Sequence, residues 1–110
     1  MKLPHPERAV IPREKIEAYL LSSVHPVGRH KAAFFGSLGY TQPGWHALDH
    51  DIRSLVFGDV ARVEETDYGT KYEVPGTITG PNGRAAAIVT AWIVLSAEDF
   101  PRFITAYPQD

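Results

Sequence analysis

The sequence predicts an α+β domain in which about three N-terminal helices pack on one face of a C-terminal four-stranded antiparallel sheet. Two observations carry this prediction. Before Gly58, apolar residues recur at helical spacing. After Gly58 they follow strand-like patterns in segments separated by glycine-containing turns. A length of 110 residues suits one domain with one core, so residues 1–110 are predicted to form a single domain.

Apolar stripes define the first and third predicted helices. The first is predicted to begin at Pro12, because proline lacks the N–H group that a helix start leaves unpaired. Its buried stripe consists of Ile16, Tyr19 and Leu20. The third is predicted to run from Trp45 to Phe57, and Gly58 is a suitable residue to end it. Its stripe, which we expect to be core rather than a cofactor site, consists of Trp45, Leu48, Ile52, Leu55 and Val56.

The second predicted helix follows Pro26 and ends near Leu38, and it carries a lysine within its apolar stripe. The stripe consists of Val27, Phe34, Phe35 and Leu38. At about 100° per residue, its centre lies close to the direction of Lys31. Lysine is rarely buried. Its stem could cross the apolar surface and leave the ammonium at the rim, or the ammonium could point into a cleft beside the sheet and hold an anion.

Four strands are predicted after Gly58, at residues 60–66, 70–79, 84–95 and 102–107. Turn residues separate the first three at 67–69 and 80–83. Pro75 and Gly76 weaken the second strand, which predicts a bulge or a sheet edge there. The short connections favour an antiparallel meander.

Alternation along the strands assigns the side chains to two faces of the sheet. The face predicted to pack on the helices carries Val63, Tyr72, Val74, Ile78, Val89, Ala91, Ile93 and Ile104. The opposite face is predicted to carry Lys71, Glu73, Thr77, Thr90, Trp92, Thr105 and Tyr107. That face stays open unless a partner covers it. It is either a solvated face rich in strand-forming residues, or a platform whose rings stack bases and whose polar groups surround a phosphate.

Composition narrows the classes of function. The absence of cysteine excludes disulfides, a thiolate nucleophile and a cysteine-ligated zinc site. His25 and His30 are five positions apart, which is not a helical metal-binding pair, so no metal and no other cofactor is expected. No bilayer-spanning apolar run or signal peptide is recognisable, so a cytoplasmic protein without membrane contact is expected.

Charge is distributed unevenly along the chain. The net charge is −2, yet residues 1–31 contain six Lys or Arg against three Glu. Residues 32–80 contain three Lys or Arg against seven Asp or Glu. A local basic patch in the first third could therefore meet a phosphate, although the overall charge does not favour nucleic-acid binding.

Four segments resemble a known family when taken in order: HPVGRHKAAFFGSLGY, YGTKYEVPGTITGPNGR, VTAWIV and ITAYP. They resemble a small bacterial domain family of unknown function, found beside antitoxin-like genes and at the ends of toxin-like or phage-associated proteins. Such domains are grouped by fold with the barnase–EndoU–colicin–RelE class of RNA-cleaving toxins. The resemblance covers residues 3–108. It implies helices before a four-stranded antiparallel sheet and RNA cleavage without metal, by analogy of fold.

The positions that carry the resemblance are His25, Gly28, Lys31, Tyr68, Gly69, Lys71, Tyr72, Gly80, Pro81, Gly83, Arg84, Thr90, Trp92, Thr105, Tyr107 and Pro108. Two features depart from the class. The chain is mildly acidic, whereas many RNA-cleaving toxins are basic. The sheet half contains no histidine, so an imidazole acid would have to come from the helices.

Together these observations favour a metal-independent endoribonuclease in which a ribose 2′-OH attacks its own phosphate. This reaction needs a base, an acid and a cation. Glu73 or His25 is the candidate base, and His25 or His30 the candidate acid. Lys31, with Arg84 or Lys71, would stabilise the developing charge. The residues expected to position the phosphate or stack a base are Thr90, Thr105, Trp92 and Tyr107.

The alternative is a non-catalytic interaction module with the same fold. In that case the open face would bind another protein, such as an antitoxin, an immunity protein or a phage structural partner. The mild acidity favours this alternative, and the lysine in the apolar stripe favours the enzyme.

Overall fold

The computed structural model describes residues 1–109 and confirms the predicted α+β arrangement. The helical half contains a 3₁₀ turn at Pro6–Arg8, α1 at Arg13–Lys15 with a π-helical continuation at Ile16–Leu20, α2 at Arg29–Gly36 and α3 at Trp45–Leu55. The sheet contains β1 at Arg62–Glu65, β2 at Gly69–Thr79, β3 at Ala85–Leu95 and β4 at Arg102–Pro108. The strands are antiparallel and follow chain order, as a meander does.

The turn between β2 and β3 forms where the glycine-rich stretch predicted it. Gly83 has a φ of +86°, a backbone conformation that glycine adopts without strain. The turn also packs against the end of α2, because a Cβ on Gly80 would lie only 2.0 Å from the Leu38 carbonyl oxygen. This contact ties one end of the sheet to the helical half.

The helices cover one face of the sheet and enclose a continuous apolar core. Its fully buried members include Ile16, Leu20, Phe35, Leu48, Ile52, Val56, Val74, Ile88 and Trp92. The stripes predicted for the first and third helices largely hold, although Tyr19, Trp45 and Leu55 are only partly buried. Val27 is an exception, since it precedes α2 and is 62% exposed.

Replacing Phe35 with alanine is expected to lower the free energy of unfolding by about 3–5 kcal/mol, because the ring is fully buried and its loss leaves a cavity. Urea-induced unfolding measures this change. Phe57→Ala is the matched control, since that ring is 53% exposed, and it should cost much less. A loss under about 1 kcal/mol for Phe35→Ala would contradict the packing described.

The predicted faces are correct for β2 and reversed for β3. Val74 and Ile78 are buried, as predicted. Thr90 pairs with Val74 across the sheet and Trp92 pairs with Tyr72, so both belong to the core face and are fully buried. The neighbouring residues predicted to lie in the core belong instead to the open face; they are Val89, Ala91 and Ile93.

A bulge between β3 and β4 sets the orientation of the last strand. Thr105 pairs with Ala91, whereas Phe103 pairs with Trp92, so Ile104 is the extra residue. The bulge lets Phe103 enter the core while Thr105 stays on the open face. Ile104 therefore lines the open face rather than the core, contrary to the prediction.

The sequence predicts either a bulge or a sheet edge at Pro75 and Gly76, and the structure has an edge there. The β2–β3 register runs through both residues without a shift, and β1 pairs only with the part of β2 before them. Val63, predicted to be in the core, is 44% exposed on β1.

Within residues 1–109, the structure contains no helix with the length and hydropathy that a bilayer crossing requires.

Candidate functional site

One row of side chains crosses all four strands on the open face. Arg62 of β1 pairs with Glu73 of β2, Glu73 pairs with Ala91 of β3, and Ala91 pairs with Thr105 of β4. Ala91 has the smallest side chain of the row, so it leaves space between Glu73 and Thr105. An open cleft of about 160 Å³ lies here, and the polar residues that line it include Arg62, Glu64, Lys71, Glu73, Thr105 and Tyr107.

Charges of both signs line this cleft. Arg62 Nη1 lies 3.9 Å from Glu73 Oε2, and Lys71 lies two residues before Glu73 on the same face. Burial, together with the neighbouring Glu73 carboxylate, raises the pKa of Tyr107. Glu73 is therefore a carboxylate flanked by two cations and a phenol.

The helical half reaches the cleft through Thr105. Lys31 Nζ donates a hydrogen bond of 2.7 Å to Tyr19 Oη, which lies 3.3 Å from Thr105 Oγ1. Burial alone would raise the pKa of Tyr19, but the hydrogen bonds with Lys31 and Thr105 and the nearby lysine charges hold it below its ordinary value. The half-buried Lys31 ammonium is thus bound to a phenol at the border of the cleft, and its binding of an anion stays a prediction.

Hydrogen bonds and close packing in the segment from His25 to Lys31 position that lysine. His25 Nδ1 accepts hydrogen bonds from the N–H groups of Val27 and Gly28, at 3.0 and 2.9 Å, and so holds the turn before α2. A Cβ on Gly28 would lie 2.1 Å from the Tyr19 carbonyl oxygen, so only glycine allows α2 to approach this closely. Lys31 follows on the first turn of α2.

These contacts argue against His25 as the acid or the base. Because its Nδ1 accepts two backbone hydrogen bonds, the proton of the neutral ring resides on Nε2. Protonating Nδ1 would break both hydrogen bonds. The ring packs edge-on against Tyr19, with centroids 5.0 Å apart, which indicates a supporting role. His30 is exposed on α2 and has no hydrogen bond to any cleft residue within the described chain.

Thr90 and Trp92, which are predicted to lie on the open face of β3, have a structural role in the core. Trp92 Nε1 donates to Thr90 Oγ1 at 2.8 Å, and Thr90 Oγ1 donates to the Val74 carbonyl at 2.8 Å. Both side chains are fully buried, so neither is available to position a phosphate or stack a base. Their polar atoms satisfy one another inside the core, and that is why such residues fit there.

Replacing Thr90 with valine is accordingly expected to destabilise the fold by about 1–3 kcal/mol, because the Trp92 N–H loses its buried partner. Thermal or urea unfolding measures the effect. Thr77→Val, an exposed threonine of the same sheet, is the control and should be nearly neutral. An unchanged stability for Thr90→Val would mean that the Trp92 N–H is satisfied elsewhere.

The remaining candidates divide by position. Lys71, Glu73, Thr105 and Tyr107 meet in the cleft, and Lys31 reaches its border. Arg84 lies at the far end of the sheet, where its Nη1 donates to the Ser37 carbonyl at 3.3 Å. It precedes β3 and is separated from Ala91 by about 20 Å of extended strand. The structure therefore does not bring Arg84 to the cleft.

The sequence analysis did not identify Arg62, Glu64 or Tyr19 as site residues. Arg62 could have been found, because a tight turn at residues 67–69 places it opposite Glu73. Tyr19 could not, since its ring follows the apolar stripe and only the folded chain brings its hydroxyl to Thr105. Among residues 1–109, no group of three or more histidines and carboxylates lies close enough to hold a metal ion.

Comparison with known proteins identifies the fold and the family. No curated protein shows significant similarity to the sequence. The fold is similar to that of a chain in a contact-dependent growth inhibition toxin–immunity protein complex from Klebsiella pneumoniae 342. The TM-score is 0.74 with 18% sequence identity, over 96% of this chain and 97% of that chain. Residues 2–110 match a domain of unknown function, DUF6883, and the chain belongs to that family.

Proposed function

We propose that this chain is a toxin-type, metal-independent endoribonuclease whose active site is the cleft on the open face of the sheet. The observation that carries the proposal is the row in which Glu73 and Thr105 flank Ala91, with cations on both sides. The Cα atoms of Glu73 and Thr105 are two strand spacings apart, about 10 Å. That separation leaves room for a phosphodiester between the two side chains.

Glu73 is the base of the proposed reaction. Its carboxylate removes the proton of a ribose 2′-OH, whose oxygen attacks the adjacent phosphorus. The bond from phosphorus to the 5′-oxygen breaks, which leaves a 2′,3′-cyclic phosphate on one fragment and a 5′-OH on the other. A carboxylate at the cleft wall is suited to accept this proton, and positioned proton transfer contributes typically about 10²–10⁴-fold in rate.

The cations stabilise the charge that develops on the phosphate. Arg62 and Lys71 approach it from the side of Glu73, and Lys31 from the side of Thr105. Fixed cations in a partly enclosed cleft stabilise such charge more strongly than they would in water. Thr105 positions the phosphate, and the half-buried ring of Tyr107 stacks on a base, as aromatic residues do in RNA-binding domains.

The printed description of the similar structure names both a toxin and an immunity protein. We therefore include in the proposal a partner of the immunity type that covers the open face and blocks the cleft. The same likeness also favours the second candidate function, a non-catalytic module that binds a partner through this face. The two acidic residues of the cleft, Glu64 and Glu73, suit that alternative as well.

Expression in a bacterial host separates the two candidates. The parent protein and the Glu73→Gln variant are induced to equal soluble levels, and growth and total RNA are followed. The nuclease predicts growth arrest and RNA fragmentation with the parent and neither with the variant. Normal growth and intact RNA with both proteins would favour the interaction module.

A further inference from the structure

Tyr19 has an environment that core packing alone does not require. Its hydroxyl lies between the Lys31 ammonium, at 2.7 Å, and the Thr105 hydroxyl, at 3.3 Å. It belongs to the π-helical turn Ile16–Leu20, in which the Leu21 N–H donates to the Ile16 carbonyl at 3.0 Å. Such widened turns occur frequently at functional sites.

We propose that Tyr19 is the general acid of the reaction, donating its hydroxyl proton to the leaving 5′-oxygen. This inference rests on the proposed ribonuclease function. As the bond from phosphorus to the 5′-oxygen breaks, the electron pair goes to that oxygen, which takes the Tyr19 proton. The phenolate that remains is stabilised by the hydrogen bond from the Lys31 ammonium. The 2′-OH proton resides on Glu73, so the two proton transfers balance.

The position of Tyr19 matches this role. In a displacement at phosphorus, the attacking and leaving oxygens lie on opposite sides, so the acid must face the base across the phosphate. Glu73 and Thr105 flank Ala91, and the Tyr19 hydroxyl lies at Thr105. Tyr107, which lines the cleft, is beside Glu73 and therefore on the side of the base.

The charge around Tyr19 supports the same role. Lys31 Nζ lies 5.1 Å and Lys15 Nζ 5.8 Å from the centre of the Tyr19 ring. Both cations favour the phenolate over the phenol, and the pKa of Tyr19 is lowered. A more acidic phenol transfers its proton more readily to a leaving alkoxide. By contrast, the Nδ1 of His25 is engaged with backbone N–H groups.

A change of leaving group tests the inference. The Tyr19→Phe variant is compared with the parent on an RNA containing one ordinary linkage and on the same RNA with a bridging 5′-sulfur at that linkage. A thiolate leaves without being protonated, so it does not need an acid. The variant should cleave the ordinary linkage about 10²-fold or more slowly, yet cleave the sulfur linkage within a few-fold of the parent. Tyr68→Phe is the matched control, since that ring is 78% exposed in the β1–β2 turn.

Three outcomes would overturn the inference in different ways. Cleavage of the ordinary linkage by Tyr19→Phe at the parent rate would remove Tyr19 from the reaction. An equal loss on both linkages, with an unchanged melting temperature, would make it a positioning residue rather than the acid. Failure of the parent to cleave either linkage would defeat the proposed function itself.

Discussion

Replacing Lys31 with methionine is expected to reduce RNA cleavage by about 10²–10³-fold, because the change removes a cation from the border of the cleft. Methionine keeps most of the unbranched stem, so the packing of α2 on the Tyr19 segment should persist. The free energy of unfolding should change by less than about 1 kcal/mol. Initial cleavage rates on a defined RNA, with urea unfolding in parallel, measure the two effects.

Arg84→Met is the matched control for this experiment. It removes the same charge from a residue that lies at the far end of the sheet, near Ser37. Its cleavage rate should equal that of the parent. A Lys31→Met variant that is destabilised by several kcal/mol, while its folded fraction cleaves normally, would contradict the role assigned to Lys31.

Replacing Glu73 with glutamine is expected to lower cleavage by about 10²–10⁴-fold, since the amide cannot accept the 2′-OH proton. Stability should hardly change, because the ion pair with Arg62 is long and largely exposed. Glu65→Gln is the control on the neighbouring strand: Glu65 is exposed, and alternation along β1 turns it away from the cleft.

The same variant tests the geometry of the cleft without any activity assay. The negative charge of Glu73 helps to raise the pKa of Tyr107. Removing that charge should therefore lower the pKa of Tyr107, which a spectroscopic titration of the phenolate can follow. An unchanged titration of Tyr107 would mean that the Glu73 carboxylate and the Tyr107 phenol are not neighbours. In the activity assay, cleavage by Glu73→Gln at the parent rate would contradict the role of Glu73 as the base.

The elements of this fold could be predicted because their signals are local. Pro12, Gly58 and the glycines of residues 80–83 mark element ends through backbone preferences that do not depend on the rest of the chain. The faces of β2 were also predictable, because its polar and apolar residues alternate. These signals predict that Lys71 and Glu73 share the open face, where both line the cleft.

The faces of β3 could not be predicted from its pattern. Residues 84–95 are apolar on both faces, so alternation leaves the phase undetermined. Alternation taken in the wrong phase predicts Thr90 and Trp92 on the open side, but inside the core Trp92 Nε1 donates to Thr90 Oγ1. That pairing depends on two neighbouring side chains and a carbonyl of β2, and composition does not reveal it.

The residues of the candidate site were likewise only partly predictable from the sequence. The position of Lys31 in the apolar stripe of the second helix marks it as unusual, because burying its charge needs a partner. Its partner, Tyr19, belongs to an apolar stripe that the sequence predicts to be core. The bulge at Ile104, which turns Thr105 to the cleft, has no sequence signal of its own. Contacts between the two halves of the chain are set by tertiary packing, which a local pattern does not encode.

The most direct test of the proposed function is chemical analysis of the ends of RNA treated with the purified protein. A defined single-stranded RNA is incubated with the parent and with Glu73→Gln in the presence of EDTA, and the products are identified by mass spectrometry. The proposal predicts that the parent alone produces fragments with 2′,3′-cyclic phosphate and 5′-OH ends. RNA that remains intact at every parent concentration, or fragments with 3′-OH and 5′-phosphate ends, would contradict it.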